Sequence, residues 1–181
     1  MVKRLFDIIG ALVLLVLVLP LMVLAVLALL MIDQQNPLFI QTRLGKFKKP
    51  FRIIKLRTMK NNQATRLGSI LRGTGIDELP QLILVISGKM SFVGPRPLTQ
   101  ADVERLNWND AYHQTRWHLA PGLTGLAQLS PVCNKKMSWF LDMKYCLCRS
   151  FYLDLKIIMA SAVIPFIGKQ KTIRWFHTKR A

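Results

Sequence analysis

Acidic residues are scarce in this chain. Of its 181 residues nine are Asp or Glu, against 26 Lys and Arg, a formal net charge of +17. Any carboxylate chemistry must therefore come from a set small enough to inspect residue by residue. Cysteine is also sparse. Three residues, Cys133, Cys146 and Cys148, form neither a CxxC redox pair nor a zinc site with two visible halves, and reduced structural thiols are the expectation. His113, His118 and His177 make no metal-spaced cluster. There is no GxxxxGK[ST] loop, no GxSxG elbow and no HExxH, and Gly73-Thr74-Gly75 fails the GxGxxG spacing. Charged residues make up 19% of the chain and hydrophobic ones 51%. A disordered basic tail would have far fewer apolar residues, and a soluble domain usually has about a quarter of its residues charged. What remains is a basic, apolar protein suited to an anionic partner: nucleic acid, a membrane face or phosphorylated substrates.

The stretch from Ile8 to Ile32 carries no charge. As a helix it would run about 37 Å at 1.5 Å per residue, longer than a bilayer core of about 30 Å. It is too long for a cleavable signal peptide. Pro20 lies near its middle, where a missing N–H favours a kink. Lys3 and Arg4 flank one end. The other side carries Arg43, Lys46, Lys48, Lys49, Arg52, Lys55, Arg57, Lys60, Arg66 and Arg72. Positive flanks favour the cytoplasm. The residues fit a spanning helix and a re-entrant one equally.

The rest, 33–181, is one domain's worth of chain without repeats. Phe51–Met59 reads as a strand by its β-branched and aromatic content. Period two puts Lys55 and Arg57 on one face and Ile54 and Leu56 on the other. Leu79–Ile86 reads as a helix with Pro80 in its first turn, Val103–His118 as a surface helix with Trp108 and Trp117, and Trp139–Ile167 as a helix with Pro165 near its end. The apolar part of that last helix, Ile157–Gly168, is too short to span a membrane. Lys169, Lys171, Arg174, Lys179 and Arg180 then interleave with Trp175 and Phe176, which suits an interfacial tail or a solvated one equally.

Asp77 and Glu78 are the one adjacent acid pair, in Arg72-Gly73-Thr74-Gly75-Ile76-Asp77-Glu78-Leu79-Pro80. The ordinary reading is an N-cap with an acid in the first turn. The functional reading uses the same geometry: free N–H groups favour phosphate, and an ionised Asp there could hold a divalent metal or attack phosphorus. In Gly94-Pro95-Arg96-Pro97 two prolines restrict the backbone around Arg96, as phosphate recognition by a presented guanidinium requires, although a rigid turn with a solvated arginine reads the same way. Pro121-Gly122-Leu123-Thr124-Gly125 is a turn, and its glycines would admit close approach to the backbone.

Taken in order, these pieces resemble the bacterial sugar transferase family, the monotopic phosphoglycosyl transferases, in their minimal catalytic form. The matching residues are Lys3-Arg4-Leu5-Phe6-Asp7 with the apolar run and Pro20; Lys55-Leu56-Arg57-Thr58-Met59; Asp77-Glu78-Leu79-Pro80-Gln81-Leu82; Met90 to Pro97; Pro121 to Gly125 with Ala127-Gln128; and Asp142-x-x-Tyr145 followed by Leu153-Asp154-Leu155-Lys156.

The resemblance implies an α+β fold: a mostly helical cytosolic domain at 33–181 with a small β-hairpin or sheet and interfacial C-terminal helices. A re-entrant membrane helix, broken near Pro20, would anchor it at 1–32. It implies transfer of a phosphosugar from a UDP-sugar to a polyprenol phosphate, undecaprenyl phosphate in bacteria. UMP would be released and assembly of a surface glycan begun at the cytoplasmic leaflet of the inner membrane. Asp77 would be the nucleophile and a ligand of Mg²⁺, with Glu78 completing the acid pair. Lys55, Arg57, Arg72 and Arg96 would bind substrate. No nucleic-acid partner is implied, and a homodimer is compatible. The chain departs from the family at Leu19, where Ser is common, at Ala120, where a basic residue is usual, and after Gln128, where a Gly-Arg pair gives way to Leu129 through Asn134 and then Lys135-Lys136. The alternative from another class is a membrane-tethered basic binding protein, in which Asp77 and Glu78 have no special role.

Overall fold

A computed structural model describes residues 2–131 and 134–173. Cys133 and the tail residues Arg174, Trp175, Phe176, His177, Lys179 and Arg180 lie outside the described residues. The fold is α+β, as expected: helices dominate and three two-stranded sheets accompany them. The chain divides into two compact units, 1–42 with 52–87, and 43–51 with 88–181.

The first unit begins with α1 (Val2–Ala28), which continues as a π turn over Leu29–Asp33 and stays helical through Pro20, where the resemblance implies a break. This helix is long and apolar enough to cross a membrane. Its buried residues lie toward its two ends: Asp7 and Ala11 at one, Ala25, Leu29 and Asp33 at the other. No residue from 12 to 24 is buried. An apolar middle that the described residues leave uncovered is compatible with membrane association.

Strands β1 (Leu38–Leu44) and β2 (Pro50–Leu56) pair, and β3 (Met59–Lys60) pairs antiparallel with β4 (Gln63–Ala64). The strand expected over Phe51–Met59 thus starts one residue earlier and ends at Leu56. Its inward period slips, from Phe51 and Ile53 to Leu56, which leaves Lys55 half-buried.

Helix α2 (Arg66–Thr74) is capped by Thr65, whose Oγ1 accepts from Gly68 N at 2.9 Å. The same hydroxyl donates to Asp33 Oδ2 at 2.7 Å, and Lys60 Nζ donates to Asp33 O at 3.1 Å. The exit of the apolar helix is thereby tied to the start of α2. Ala25 and Leu29 share a buried cluster with Leu56 and Leu71. After α2 come a 3₁₀ helix (Ile76–Gln81) and α3 (Leu82–Ile86). The helix read over Leu79–Ile86 is therefore two elements, because Pro80 sits inside the tighter one.

In the second unit β5 (Ser91–Val93) pairs parallel with β6 (Gly122–Thr124). The backbones approach so closely that a Cβ on Gly122 would stand 2.1 Å from Gly94 N. Helix α4 (Gln100–Leu106) opens with a Thr99–Asp102 capping box and stops at Asn107, which is left-handed at φ 54°. The expected surface helix over Val103–His118 is thus wrong beyond Leu106. Two short 3₁₀ turns, Ala111–His113 and Thr115–His118, follow. Trp108 and Trp117 are not surface residues but core ones, beside Leu44, Leu98, Val103 and Trp139.

Helix α5 (Leu126–Leu129) precedes α6 (Lys135–Cys148), α7 (Phe151–Ile167) and α8 (Lys169–Ile173). The single helix read over Trp139–Ile167 is split, because Ser150 leaves helical geometry and caps α7 by accepting from Leu153 N. The Tyr145 hydroxyl donates to Asp154 Oδ1 at 2.7 Å and lies 3.0 Å from Val93 O, which braces α6, α7 and β5 together. Cys146 is half-buried. Burial, then the Asp142 charge, push its thiol up to about 11, so it stays protonated at neutral pH.

Two glycines of α2 give a clean test of this packing. A Cβ at Gly68 would stand 2.0 Å from the Thr58 carbonyl oxygen, whereas at Gly73 it meets nothing within 4 Å. Gly68→Ala should destabilise by at least about 1–3 kcal/mol. Gly73→Ala should change stability by no more than about 1 kcal/mol, on the stabilising side. Thermal unfolding of the two variants in detergent checks the contrast.

Candidate active site

The acid pair is presented by the joint between α2 and the 3₁₀ helix. Gly75 makes that joint at φ 77°, a left-handed conformation that glycine adopts without a Cβ penalty. Its carbonyl accepts from Glu78 N at 3.1 Å. The chain re-enters helical geometry with Asp77 and Glu78 in the first turn. Asp77 is therefore not the N-cap that local spacing suggests, since Gly75 holds that position.

Four of the predicted site residues come together in the first unit. Asp77 is buried, and Glu78 is partly exposed and ion-paired with Lys55 from the end of β2. Arg72, exposed in the last turn of α2, acts on the Asp77 charge along with Lys55. Burial, then the adjacent Glu78 charge, hold the Asp77 carboxyl above its ordinary value. Lys55, Arg72 and the Asp77 peptide N–H pull it down but do not prevail. The site is thus a buried carboxylate under like-charge stress, with two cations beside it.

The other two predicted residues are placed differently. Arg57 donates from Nε to Asn36 O at 2.9 Å and from Nη2 to Leu38 O at 3.0 Å, so its fork holds the segment entering β1. Arg96 belongs to the second unit, where it is exposed between Pro95 and Pro97. Lys135 and Lys136 are exposed at the start of α6, capped by Asn134.

Among the described residues no group of three or more His, Cys, Asp or Glu side chains could cage a metal. Asp77 with its neighbour Glu78 does suit Mg²⁺, which keeps several waters and takes one or two carboxylates plus substrate phosphate oxygens.

Sequence reasoning missed Arg116, and it placed Asp142 in the Asp142-x-x-Tyr145 motif without a partner or a role. Arg116 is a lone basic residue between Thr115 and Trp117, with no motif spacing to mark it. Its side chain is 1% exposed and ion-paired to Asp142, 26 positions away. Burial pushes the Asp142 carboxyl up against the opposing pull of Arg116.

The family model for bacterial sugar transferases matches residues 1–167. The chain belongs to the bacterial sugar transferase family. Among relatives, a UDP-glucose:undecaprenyl-phosphate glucose-1-phosphate transferase from Caulobacter vibrioides is 37% identical, over 87% of this chain and 67% of its own length. A UDP-N-acetylgalactosamine-undecaprenyl-phosphate N-acetylgalactosaminephosphotransferase from Aeromonas hydrophila is 35% identical, over 71% of this chain but 34% of its own length. An exopolysaccharide production protein from Rhizobium leguminosarum is 33% identical, over 89% of this chain and 93% of its own length. This bacterial sugar transferase thus spans nearly all of one relative and only a third of another.

The two charges that flank Asp77 should move its titration in opposite directions. Glu78→Gln removes a like charge and should lower the Asp77 midpoint, whereas Lys55→Met removes a cation and should raise it. Carboxyl-detected NMR titration of selectively labelled Asp, in the full chain, reads both shifts. A midpoint that is unmoved in both variants would contradict the electrostatic description of the site.

Proposed function

We propose that this sugar transferase moves a phosphosugar from a UDP-sugar to a polyprenol phosphate, undecaprenyl phosphate in bacteria, by two displacements at Asp77. The observation that carries this reading is the Asp77 environment: a buried carboxylate stressed by Glu78 and flanked by Lys55 and Arg72. The names of the relatives, which specify sugar-phosphate transfer to undecaprenyl phosphate, add the substrate classes.

In the first displacement an Asp77 carboxylate oxygen attacks the β-phosphorus of the donor. The bond from that phosphorus to the bridging oxygen breaks, and UMP departs with the bridging oxygen. Asp77 then carries the phosphosugar as an acyl phosphate. In the second, a phosphate oxygen of the polyprenol phosphate attacks the same phosphorus. The bond to the Asp77 oxygen breaks, which restores the carboxylate and yields a polyprenol diphosphosugar. A nucleophilic carboxylate thus divides one difficult transfer into two.

Glu78, held by Lys55, takes the proton when the acceptor phosphate arrives singly protonated. Lys55 and Arg72 offset the charge of the transferring phosphate beside Asp77, and Arg96 of the second unit binds phosphate as the family resemblance implies. Arg57, committed to the Asn36 and Leu38 carbonyls, supports the strand end from which Lys55 projects. Mg²⁺ held through Asp77 and the diphosphate would supply further neutralisation of the transferring group.

Helix α1 acts as a re-entrant anchor on the cytoplasmic leaflet. Arg4 at its start donates to Val85 O and Ile86 O of the first unit, and Ala25 and Leu29 near its end pack on Leu56 and Leu71 of that same unit. A helix leading straight away from its domain would be tied at one end only. In the second unit Phe140, Leu147, Tyr152, Met159 and Phe166 of α6 and α7 are exposed, as apolar side chains of interfacial helices would be. A lipid acceptor and a cytosolic donor can then meet on one leaflet, where the product begins a surface glycan.

Screening UDP-glucose, UDP-galactose and UDP-N-acetylgalactosamine against undecaprenyl phosphate tests the reading. UMP should appear with at least one donor, in an Mg²⁺-dependent way, and Asp77→Asn should cut its release by at least about 10³-fold. Release of UDP instead would mean transfer of sugar without phosphate. Full activity in Asp77→Asn would refute the covalent step. Topology is read separately: a cysteine placed beside Lys3 should be protected from impermeant reagents added outside the cell.

A further inference from the structure

The segment Pro95-Arg96-Pro97 cannot hold itself in place by ordinary backbone ladders. Neither proline has an N–H, so Arg96 carries the one peptide donor of the three residues. Every polar backbone group of the segment nevertheless has a partner within the second unit. Pro95 O accepts from Gly122 N at 2.9 Å. Pro97 O accepts from Arg43 Nη1 at 3.3 Å, and Arg43 is in turn paired with Asp102 at 3.2 Å. Arg96 O accepts from Arg116 Nη2 at 2.6 Å, and the Arg96 N–H donates to the carboxylate of Asp142.

The last two bonds belong to one ion pair. Arg116 Nη2 also donates to Asp142 Oδ2 at 2.9 Å, and the two side chains are 1% and 2% exposed. The Arg116 guanidinium is lodged against the rings of Trp117 and Trp108, at 4.7 and 5.2 Å from their centroids. Neither side chain of the pair is free to swing. A buried ion pair is a poor way to gain stability, because both charges lose their hydration. Here it does something an apolar pair of the same volume could not: it holds one residue on both sides, by the N–H and the C=O of Arg96, which belong to the two peptide groups flanking its Cα. Charge-assisted bonds of this kind are shorter and stronger than neutral ones. The Arg96 residue itself is exposed.

We propose that Arg116 and Asp142 are a positioning pair for Arg96. They fix the Arg96 backbone on both sides of the Cα from which its guanidinium projects, so that the fork meets phosphate in one orientation and little ordering remains at binding. This rests on the proposed role of Arg96 in phosphate binding, and Arg116 and Asp142 themselves touch no substrate.

A double-mutant cycle in the full chain, in detergent or nanodiscs, tests the coupling. Arg116→Met with Asp142→Leu removes both charges together and keeps the volume. UMP release per unit donor should fall about 10²-fold, as expected for a misplaced binding group. Arg96→Ala should cost a similar factor, and adding it to the Arg116→Met/Asp142→Leu background should cost nothing more. Losses that multiply would overturn the proposal, since the pair would then act other than through Arg96, as would full activity of the paired variant. An Arg96→Ala enzyme with unchanged turnover would remove the phosphate role of Arg96 and the proposal with it, while leaving the Asp77 chemistry intact.

Amide hydrogen exchange of the unmodified protein tests the grip without any variant. Within Pro95-Arg96-Pro97 the Arg96 amide alone exchanges. It should exchange at least about a hundredfold more slowly than in an unprotected peptide, and exchange at the unprotected rate would overturn the clamp whatever the activity shows.

Discussion

Two hydrogen bonds from Arg4 to the last carbonyls of α3, at 2.6 and 2.7 Å, join the apolar helix to the segment that carries Asp77. They satisfy carbonyls that a helix end leaves without intrahelical partners, and the positive charge suits the negative end of the helix. Near the other end of α1, Leu29 is fully buried among Leu56, Leu71 and Ala25, and Asp33 is held by Thr65. From 12 to 24, between these two ends, no residue is buried. The anchor and the acid pair are therefore parts of one packed body. On the proposed function, the site is fixed to the element that would enter the lipid.

The basic excess divides into cations with different jobs. Arg4, Arg57 and Arg116 give their donors to backbone carbonyls inside the units. Lys55 and Arg72 act on the two carboxylates of the site. Lys135, Lys136 and Arg96 remain on the surface. A net charge of +17 therefore overstates the positive field available for binding, since part of it is used to satisfy buried or half-buried polar groups. The scarcity of acids has the complementary consequence: several of the acids are committed. Asp102 closes a capping box, Asp142 and Asp154 are buried partners of Arg116 and Tyr145, and Asp33 braces α2. Among the described residues the Asp77–Glu78 pair is left as the place where two carboxylates crowd each other.

Much of this was legible along the chain. The apolar run, the strand before Leu56, the Asp-Glu pair and the ordered set of motifs were all visible, because each is a local pattern of composition or spacing. Readings failed where one residue changed the backbone. Asn107 ended α4 by adopting a left-handed conformation, and Ser150 split a continuous helical pattern by capping α7. Asp77 offered an N-cap pattern, yet Gly75 took that position through its positive φ.

What the sequence determined by itself was the class of protein: an apolar anchor, a basic domain, and an acid pair in a recognisable family setting. Those features depend on neighbours along the chain and survive in any fold. The tertiary structure decided how the side chains are employed. It paired Lys55 with Glu78 across 23 positions, turned Arg57 onto carbonyls near β1, and put Arg116 and Asp142 on the C=O and the N–H of one residue, Arg96. It also raised Asp77 above the ordinary carboxylate range by burial. Burial and long-range pairing are set by which surfaces meet when the chain collapses, and linear spacing carries no record of that.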